Sequence, residues 1–412
     1  MPQLSGREEI AVAYVSLVVP DTLEFANPHV HPAGIDFMRN VLIGLASDPA
    51  AQVESFSAEP MPSFPLGDRL LVRGRDLQLT KSTSTTTVTY LNVTPIKQVH
   101  IGLSILARLI GWGIRARDKR HRVIFSFNLS VPHLAFTVAA AHLIGAKPLV
   151  WISDVNMPGE TVANSVLLRI DSWIGRKMLR FVEGAIVVSD AIARDYLPNC
   201  SYIRVDGGVS LQTINATGRA LEGRRPVEGR FTIVATGALK AFNGIREILA
   251  AFDRLEGSQY RLIVAGRGSF GDDVAAAAKR DSRIEFRGFV DHKDVLALHA
   301  EADVLVSMRL TQSSNTAYAF PSKTFEYLLS GVPVITTGTG HMRAEYGAYC
   351  FILEEESPEA LATMLRKVER FSSSERERMG LAARQFIIDF KTWEAQHGRI
   401  AEYVRSRAIS RN

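Results

Sequence analysis

The run YAFPSKTFEYLLSGVPVITTG, residues 318–338, joins a helix signal directly to a strand signal. Ser322 is typical of a helix start, where its hydroxyl can cap the helix and place Lys323 in the first turn. Gly331 and Pro333 end that helix, and the apolar residues after them predict a buried strand. A helix that leads straight into a buried strand is the repeating unit of a parallel α/β sheet.

Short apolar runs separated by helical periodicity continue this pattern through the chain. Each run ends at a polar residue or a glycine, as expected for buried strands of a parallel sheet. Because parallel strands need crossover connections, the alternation predicts α/β domains of Rossmann-like type. The predicted strands are 10–19, 122–128, 148–154, 184–190, 202–208, 231–237, 261–266, 284–290, 302–308, 332–338 and 349–354.

A polar segment, residues 217–230, interrupts the alternation and predicts a linker, because it contains Gly and Pro and lacks apolar periodicity. We therefore expect one Rossmann-like parallel-sheet domain over 1–218 and a second over 229–390, facing each other across a cleft. In such sheets ligands bind beyond the carboxyl ends of the strands, so the polar residues at those ends are the functional candidates. The Thr-rich residues 77–96 predict a local hairpin or insertion.

Composition and charge exclude several classes of protein. The 412 residues are 46% hydrophobic and 22% charged, which is a globular composition and not that of a disordered or collagenous chain. The net charge of +5 is local, since residues 101–150 hold seven Arg or Lys against Asp118 alone. One basic patch favours one docking surface over a nucleic-acid footprint. Cys200 and Cys350 fit no zinc or disulfide spacing.

Residues 98–122 contain part of this basic patch and predict an amphipathic helix. Apolar residues recur there at helical spacing, before a strongly cationic end. Such a helix can lie on an anionic membrane, where each basic residue contributes about 1 kcal/mol. The alternative is a helix that packs its apolar face on the sheet and leaves a solvated basic end. The recurring apolar residues are Ile101, Ile105, Leu109 and Trp112.

No segment is predicted to cross a membrane. The first apolar run follows Glu8 and Glu9, unlike the start of a signal peptide. The longest apolar stretch, 134–152, is interrupted by His142 and by a break at 147–148. We expect a cytoplasmic protein whose membrane contact, if any, is peripheral and at the inner face.

The helix that begins near Ser322 carries two charged side chains that suit a nucleotide. Helix-start N–H groups together with the Lys323 ammonium form a seat for a diphosphate. Glu326 lies three positions on and on the same face, where its carboxylate can accept hydrogen bonds from ribose hydroxyls. The alternative is a capped surface helix with an ion pair between Lys323 and Glu326.

The residues FPSKTFEYLLSGVPVI, 320–335, resemble the P-x-K-x-x-E-Y-x-x-x-G-x-P-V-I signature of retaining GT-B-fold glycosyltransferases, often called glycosyltransferase family 4. Segments 237–252, 261–269 and 284–307 agree with that family in order and spacing. The resemblance is strong over 231–340 and weak before residue 120. It implies a GT-B fold, with two Rossmann-like domains.

The resemblance also implies roles for residues of the second domain. Glu326 would bind the donor ribose, and Lys323 the diphosphate, with Ser322 at the same helix start. The backbone at Phe289 and Val290 would face the nucleobase.

The chain departs from the family pattern at two places. Tyr318 stands where many members carry a second glutamate near the donor sugar. The diphosphate loop, 237–244, has Ala238 and Asn243 where members usually carry cations.

We expect other cations to neutralise the diphosphate in their place. The candidates are Lys323 together with Lys240 or Arg309. Gly237, at the start of the loop, is also expected to contact the donor. The alternative for Lys240 is a solvated loop lysine. No acidic pair of the D-x-D type lies at a strand end of this domain, so neither a metal nor another cofactor is expected.

Two residues of the first domain are the catalytic candidates. Asp154 ends a strongly apolar strand at the expected cleft, where relatives carry acceptor-side polar groups; its alternative is a turn cap. His31 follows the first strand, and its alternative is an exposed loop histidine. Catalysis in this family depends chiefly on electrostatic stabilisation of the leaving diphosphate.

The resemblance thus implies retaining transfer of a hexosyl unit from a nucleoside-diphosphate sugar to a glycan or lipid-linked saccharide, in polysaccharide or glycoconjugate biosynthesis. Residues 1–218 would be the acceptor-side domain and 229–390 the donor-binding domain. A helix within 391–412 would pack back on the first domain.

Two alternatives of other classes remain open at this point. Residues 266–271 match G-x-G-x-x-G, which would suit an NAD-dependent oxidoreductase, although that motif normally opens the first βαβ unit of its domain. A GT-B-shaped protein that binds a nucleotide-sugar or a partner without catalysis is the other, suggested by Tyr318, Ala238 and Asn243.

Overall fold

The strands predicted from the apolar runs form two separate, mainly parallel sheets, each in its own compact unit. The first unit ends at Asp206 and resumes at Glu394, and the second is Gly207–Trp393. Helix Leu211–Glu222 belongs to the second unit, although the sequence predicts a linker over part of it. The structure, a computed structural model, describes residues 8–20, 32–81, 83–153, 155, 166–223, 229–312, 316–321 and 323–410.

The first unit contains ten strands and six helices among its described residues. The strands are β1 (Ile10–Ser16), β2 (Ala51–Ser57), β3 (Leu71–Val72), β4 (Asp76–Gln78), β5 (Ser84–Thr87), β6 (Tyr90–Leu91), β7 (His121–Phe127), β8 (Lys147–Ile152), β9 (Gly184–Val187) and β10 (Tyr202–Arg204). The helices are α1 (Pro32–Ala46), α2 (Ile96–Arg115), α3 (Val131–Ile144), α4 (Val166–Met178), α5 (Asp190–Tyr196) and, at the carboxyl end of the chain, α14 (Trp393–Ile409).

The main sheet of this unit has the order β10-β9-β8-β7-β1-β2-β5-β4. It is parallel except for β4, which forms a hairpin with β5 within the Thr-rich region. One face is covered by α1 and by α14, whose Ile400, Tyr403 and Val404 are buried in the core beside Val12. The hydroxyl of Tyr403 accepts a hydrogen bond from the N–H of Ala185 at 2.9 Å, which fixes α14 to the sheet.

The other face of the sheet is covered by α2, and this corrects the predicted membrane face. Ile101, Ile105, Leu109 and Trp112 are at most 4% exposed and pack in the core. They are buried because α2 lies against the sheet and α3, as the alternative interpretation expected. The apolar face predicted to meet a membrane is therefore not available.

A second apolar stripe of α2 is exposed instead. Ile96, Val99 and Leu103 follow the i, i+3, i+7 spacing of one helix face and are about half exposed. Strand β6 lies beside them, because the Leu91 N–H donates to Nδ1 of His100 at 2.9 Å. We call the exposed apolar residues of this region the apolar platform; they are Phe64, Leu66, Leu70, Leu71, Leu91, Ile96, Val99, Leu103 and Ile114.

The second unit contains the remaining described strands and helices. The strands are β11 (Phe231–Thr236), β12 (Tyr260–Ala265), β13 (Ile284–Gly288), β14 (Val304–Ser307), β15 (Val334–Thr337) and β16 (Phe351–Leu353). The helices are α6 (Leu211–Glu222), α7 (Ile245–Phe252), α8 (Gly271–Arg280), α9 (His292–Glu301), α10 (Lys323–Leu329), α11 (Met342–Tyr346), α12 (Pro358–Glu369) and α13 (Ser373–Phe390).

The sheet of the second unit is fully parallel and has the order β13-β12-β11-β14-β15-β16. This is the 3-2-1-4-5-6 order of the doubly wound Rossmann sheet. Apolar cores cover both faces; Ile233 and Val264 lie in one, and Val234 and Ile263 in the other. Such continuous apolar strands are typical of a parallel sheet with helices on both sides.

No helix in the described ranges combines the length and apolar character needed to cross a membrane.

Candidate functional site

The second sheet has its topological switch point between β11 and β14. The chain leaves β11 toward β12 on one side and leaves β14 toward β15 on the other, which opens a crevice beyond the two carboxyl ends. Gly237 directly follows β11 and Arg309 lies two residues after β14. Two of the predicted residues therefore lie where an open α/β sheet binds its ligand.

Lys323, the first residue of α10, reaches the end of β11. Its Nζ donates a hydrogen bond to the carbonyl oxygen of Thr236 at 2.9 Å. Gly237 has φ +118°, and a Cβ built there would lie 2.6 Å from the lysine Nζ. Glycine is the residue that tolerates this backbone conformation and leaves room for the lysine.

Tyr327, one helical turn after Lys323, fixes α10 to β11. Its hydroxyl accepts a hydrogen bond from the N–H of Thr236 at 2.8 Å. His299 of α9 completes the cluster, with Nε2 3.0 Å from Thr236 Oγ1 and its ring edge-on to the Tyr327 ring. Burial lowers the pKa of His299 to about 4, so the ring is neutral. This buried cluster holds Lys323 at the switch point.

Glu326 lies on the same helix and pairs with His292 of α9, its Oε1 3.3 Å from the ring Nε2. The alternative of an ion pair with Lys323 is therefore wrong, since Lys323 bonds to Thr236. Burial raises the pKa of Glu326, but the hydrogen bond from His292 and nearby positive charge outweigh it, and the net pKa is lowered. At neutral pH Glu326 is thus a carboxylate that can accept hydrogen bonds.

Three cations gather around the loop after β11. Burial, and then the charge of Arg309, lower the pKa of Lys323 to about 8. Arg309 lies over the ring of Phe242, with Cζ 5.0 Å from the centroid, and the Nζ of Lys240 is 5.7 Å from the same centroid. A bound anion would relieve the mutual repulsion of these groups.

The low pKa of Lys323 also has a cost in stability. The unfolded chain binds the lysine proton up to the ordinary pKa of 10.5. Below about pH 8 both states are protonated, and the buried charge lowers the free energy of unfolding. That cost declines as the pH rises from about 8 toward 10.5. A neutralising anion at the site would therefore raise the free energy of unfolding.

The G-x-G-x-x-G run owes its first two glycines to packing between loops. A Cβ at Gly266 would lie 1.8 Å from the carbonyl oxygen of Gly237, and one at Gly268 would lie 2.2 Å from that of Leu239. The N–H of Gly266 donates to the carbonyl of Gly288 at 2.7 Å. The loops after β11, β12 and β13 thus stack backbone on backbone, which explains the motif without a nicotinamide cofactor.

The structure brings most of the predicted donor residues to this one edge. Lys323, Glu326, Gly237, Lys240 and Arg309 surround the switch point, as described above. Two further residues, Phe289 and Val290, follow β13 at the same edge.

Phe289 is 65% exposed and has the guanidinium of Arg267 4.7 Å from its ring centroid. Val290 is partly buried against the core.

Three predicted residues, Ser322, Asp154 and His31, lie outside the described residues. Asn243, one of the two departures in the diphosphate loop, donates its side-chain amide to the carbonyl of Ala238 at 2.7 Å. This hydrogen bond therefore shapes the loop beside the site.

Sequence reasoning missed Thr236, His292 and His299. The two histidines are seven residues apart on α9, which puts them on one helix face two turns apart. That spacing was the sequence signal from which the two histidines could have been predicted to share a face. No sequence signal marks Thr236, because its role depends on which side chains meet the end of β11.

Comparison with known proteins supports the fold and the class of enzyme. Residues 230–369 match the family described as glycosyl transferases, group 1. No curated protein sequence matches the chain. The match covers β11 to α12 and so includes the switch-point residues.

Solved structures share the fold at low sequence identity. Sucrose-phosphate synthase from Thermosynechococcus elongatus has a TM-score of 0.64 at 14% identity, covering 97% of this chain and 99% of its own. HepE of Anabaena in complex with UDP has a TM-score of 0.62 at 14% identity, covering 96% and 100%. The catalytic domain of starch synthase IV from Arabidopsis thaliana, bound to ADP and acarbose, has 0.59 at 9% identity, covering 98% and 100%.

The domain match and the shared fold together go against the oxidoreductase alternative. The fold is α/β of the GT-B class, with Rossmann-like parallel sheets. Residues 230–369 match the group 1 glycosyl transferases, and this match together with the shared fold supports an enzyme of the glycosyltransferase class.

Proposed function

We propose that the second unit binds a nucleoside-diphosphate sugar and that the enzyme transfers its hexosyl group with retention of anomeric configuration. The observation that carries this proposal is the pairing of a cation cluster with a carboxylate at the switch point. Lys323 and Arg309 repel each other there, and Glu326 stands on the same helix as Lys323. The cations match the negative charge of a diphosphate, and the carboxylate can accept hydrogen bonds from the hydroxyls of the neighbouring ribose.

Each side chain has a role in this proposal. Lys323 and Arg309, with Lys240 on the loop, neutralise the diphosphate as its bond to the sugar breaks. Glu326 accepts hydrogen bonds from the ribose hydroxyls. Phe289 offers an exposed ring at the same edge for the nucleobase. Two structural neighbours with the same fold were solved with UDP and with ADP, which supports a nucleotide ligand.

The protein cations supply the charge that a metal ion would otherwise provide, so we propose that the reaction needs no metal. In this proposal, fixed charges that meet the developing diphosphate stabilise the transition state. Asp154 and His31 stay our candidates for the catalytic groups of the first unit.

The acceptor is a glycan or a lipid-linked saccharide of polysaccharide or glycoconjugate biosynthesis in this proposal. We also propose a peripheral contact with an anionic membrane at the cytoplasmic face, made by the apolar platform and not by the buried face of α2. Residues 60–122 carry eleven Arg or Lys against three Asp, so positive charge accompanies the exposed apolar side chains.

Removal of the Lys323 charge should abolish most donor turnover. Hydrolysis or transfer is measured for a panel of UDP, GDP and ADP sugars, with the product anomer assigned by NMR. We expect Lys323→Ala to lower kcat/KM about 100-fold and Glu326→Gln about tenfold, since both lose contacts to the donor. Lys279→Ala, an exposed lysine of α8, is the control. Unchanged turnover in both site variants would move the donor site elsewhere.

Gly237→Ala should weaken nucleotide binding. The new Cβ would displace Nζ of Lys323, so we expect at least a tenfold rise in the Kd for a nucleoside diphosphate, measured by calorimetry. Gly229→Ala is the matched control, because Gly229 also has positive φ but has nothing within 4 Å of a built Cβ. Equal Kd values for Gly237→Ala and the wild type would show that Lys323 does not contact the ligand.

Nucleotide affinity should fall as the pH rises through about 8. Lys323 loses its proton in that range, whereas the phosphates, with a second pKa near 6, keep their charge. Binding near pH 8.5 should therefore take up a proton, seen as a calorimetric enthalpy that depends on the buffer. Lys323→Arg should remove the dependence, because arginine stays protonated. A wild-type Kd that is constant from pH 7 to pH 9.5 contradicts the assignment.

The apolar platform should bind anionic vesicles in a salt-dependent way. With vesicles of mixed neutral and anionic phospholipid, we expect the protein to sediment at 20 mM salt and to be released at 500 mM as the charges are screened. Val99→Glu combined with Leu66→Glu should abolish sedimentation, whereas Leu211→Glu, an exposed residue of the second unit, should not. Failure to sediment at low salt would exclude this contact.

A further inference from the structure

The first unit has two adjoining cavities at the switch point of its own sheet. That point lies between β1 and β7, where Leu17 and Asn128 follow the strands. The first cavity, of about 200 Å³, reaches from Leu17 and Asn128 to Asp171. The second, of about 360 Å³, reaches from Leu17 to Lys97. Leu17, Ser130 and His133 line both cavities, so the two adjoin at these residues.

His133 stands at the junction of the cavities with one ring nitrogen unused. The side chain is 5% exposed, and its Nδ1 lies 2.7 Å from the hydroxyl of Ser130. Burial lowers the pKa of His133 to about 4, so the imidazole is neutral. Its Nε2 is buried and has no hydrogen-bond partner among the described residues. Buried polar groups are nearly always satisfied, so this nitrogen is expected to bond to a water molecule or to a ligand atom.

The first cavity is lined by several hydrogen-bonding side chains. Asn128 has φ +59°, and its Oδ1 accepts hydrogen bonds from the N–H and the hydroxyl of Ser153 at 2.9 and 3.1 Å. Asp171 accepts a hydrogen bond from the N–H of Val131 at 2.9 Å, which ties α4 to the start of α3. Asparagine is one of the few non-glycine residues that readily adopt this left-handed conformation. These groups suit the hydroxyls of a saccharide.

The second cavity has apolar walls and one cation. Pro60, Met61, Pro62 and Ile101 provide the walls. Lys97 lines the same space; its Nζ donates to the carbonyl of Met61, and no carboxylate of the described residues lies within ion-pair distance of it.

Glu59, which also lines this cavity, is instead paired with Arg75 at 3.1 Å and Arg69 at 3.6 Å. The lysine charge is therefore left for a ligand.

The second cavity ends beside the apolar platform. Lys97 is in the first turn of α2, between Ile96 and Val99 of the exposed stripe. Phe64 pairs with Val93, three residues before the helix, and brings another exposed side chain to that end. An apolar chain that leaves the cavity would meet apolar surface.

We propose that this space binds the acceptor, and that the acceptor is an amphiphile in which a phosphate joins a saccharide to an apolar chain. The saccharide occupies the first cavity with a hydroxyl at His133 Nε2, the phosphate meets Lys97, and the chain follows Met61 and Pro62 toward the platform. This inference rests on the proposed glycosyl transfer and selects the lipid-linked acceptor over a free glycan.

Binding without a donor tests the proposal, because it does not depend on turnover. The probes are octyl phosphate below its micelle concentration, inorganic phosphate, and octyl glucoside, each measured by calorimetry. We expect octyl phosphate to bind at least tenfold more tightly than inorganic phosphate, which lacks the chain. It should also bind more tightly than octyl glucoside, which lacks the charge. Equal affinity for the two phosphates would overturn the amphiphile and leave a free-phosphate site.

Lys97→Gln removes the charge and leaves an amide that can donate a hydrogen bond, so it separates binding from folding. We expect at least a tenfold loss of octyl phosphate affinity with an unchanged unfolding midpoint, and no loss for Lys279→Gln on α8. An unchanged affinity in Lys97→Gln would refute the role of this lysine. A protein that binds octyl phosphate in this way but turns over no donor would contradict the proposed transfer and not this site.

Discussion

The hydrogen bond between the Tyr327 hydroxyl and the N–H of Thr236 is the contact on which the candidate site of the second unit depends. It ties α10 to the end of β11, where His299 packs on the tyrosine ring and bonds to the threonine side chain. Lys323 is held at the carbonyl of the same threonine, one turn earlier. Because the helix is fixed at this point, the cation and Glu326 keep a constant spacing from the sheet edge.

Much of the fold could be predicted from the sequence, because buried parallel strands are continuous apolar runs. All the predicted strands are present, and the helix and strand around Gly331 lie where the sequence places them. Strand β2 was not predicted, since Gln52 and Glu54 interrupt its apolar character and its first half is partly exposed. The sequence left a membrane surface and the sheet open as environments for the apolar stripe of α2, because periodicity identifies an apolar face but not what covers it.

The candidate site could be predicted only in part, and the division has a physical reason. Lys323 and Glu326 lie in one short motif, where helix spacing alone places them on a common face. Arg309 and Lys240 come from separate loops, and only the packing of β14 beside β11 makes them neighbours of that motif. His299 was missed because its value comes from burial against Tyr327, which no local pattern encodes. The stacking of glycine loops likewise depends on three strands that are distant in sequence.

The two units both have polar groups at the switch point of their sheets, but the charge of these groups differs. In the second unit several cations lie at the switch point and repel one another, and the pKa of one of them, Lys323, is lowered to about 8. In the first unit the corresponding position holds a neutral imidazole, His133, among hydrogen-bonding groups. A site under repulsion is stabilised by an anion, whereas a neutral buried donor or acceptor gains most from an uncharged hydroxyl. The charge at each switch point therefore favours an anion in the second unit and an uncharged hydroxyl at His133 in the first.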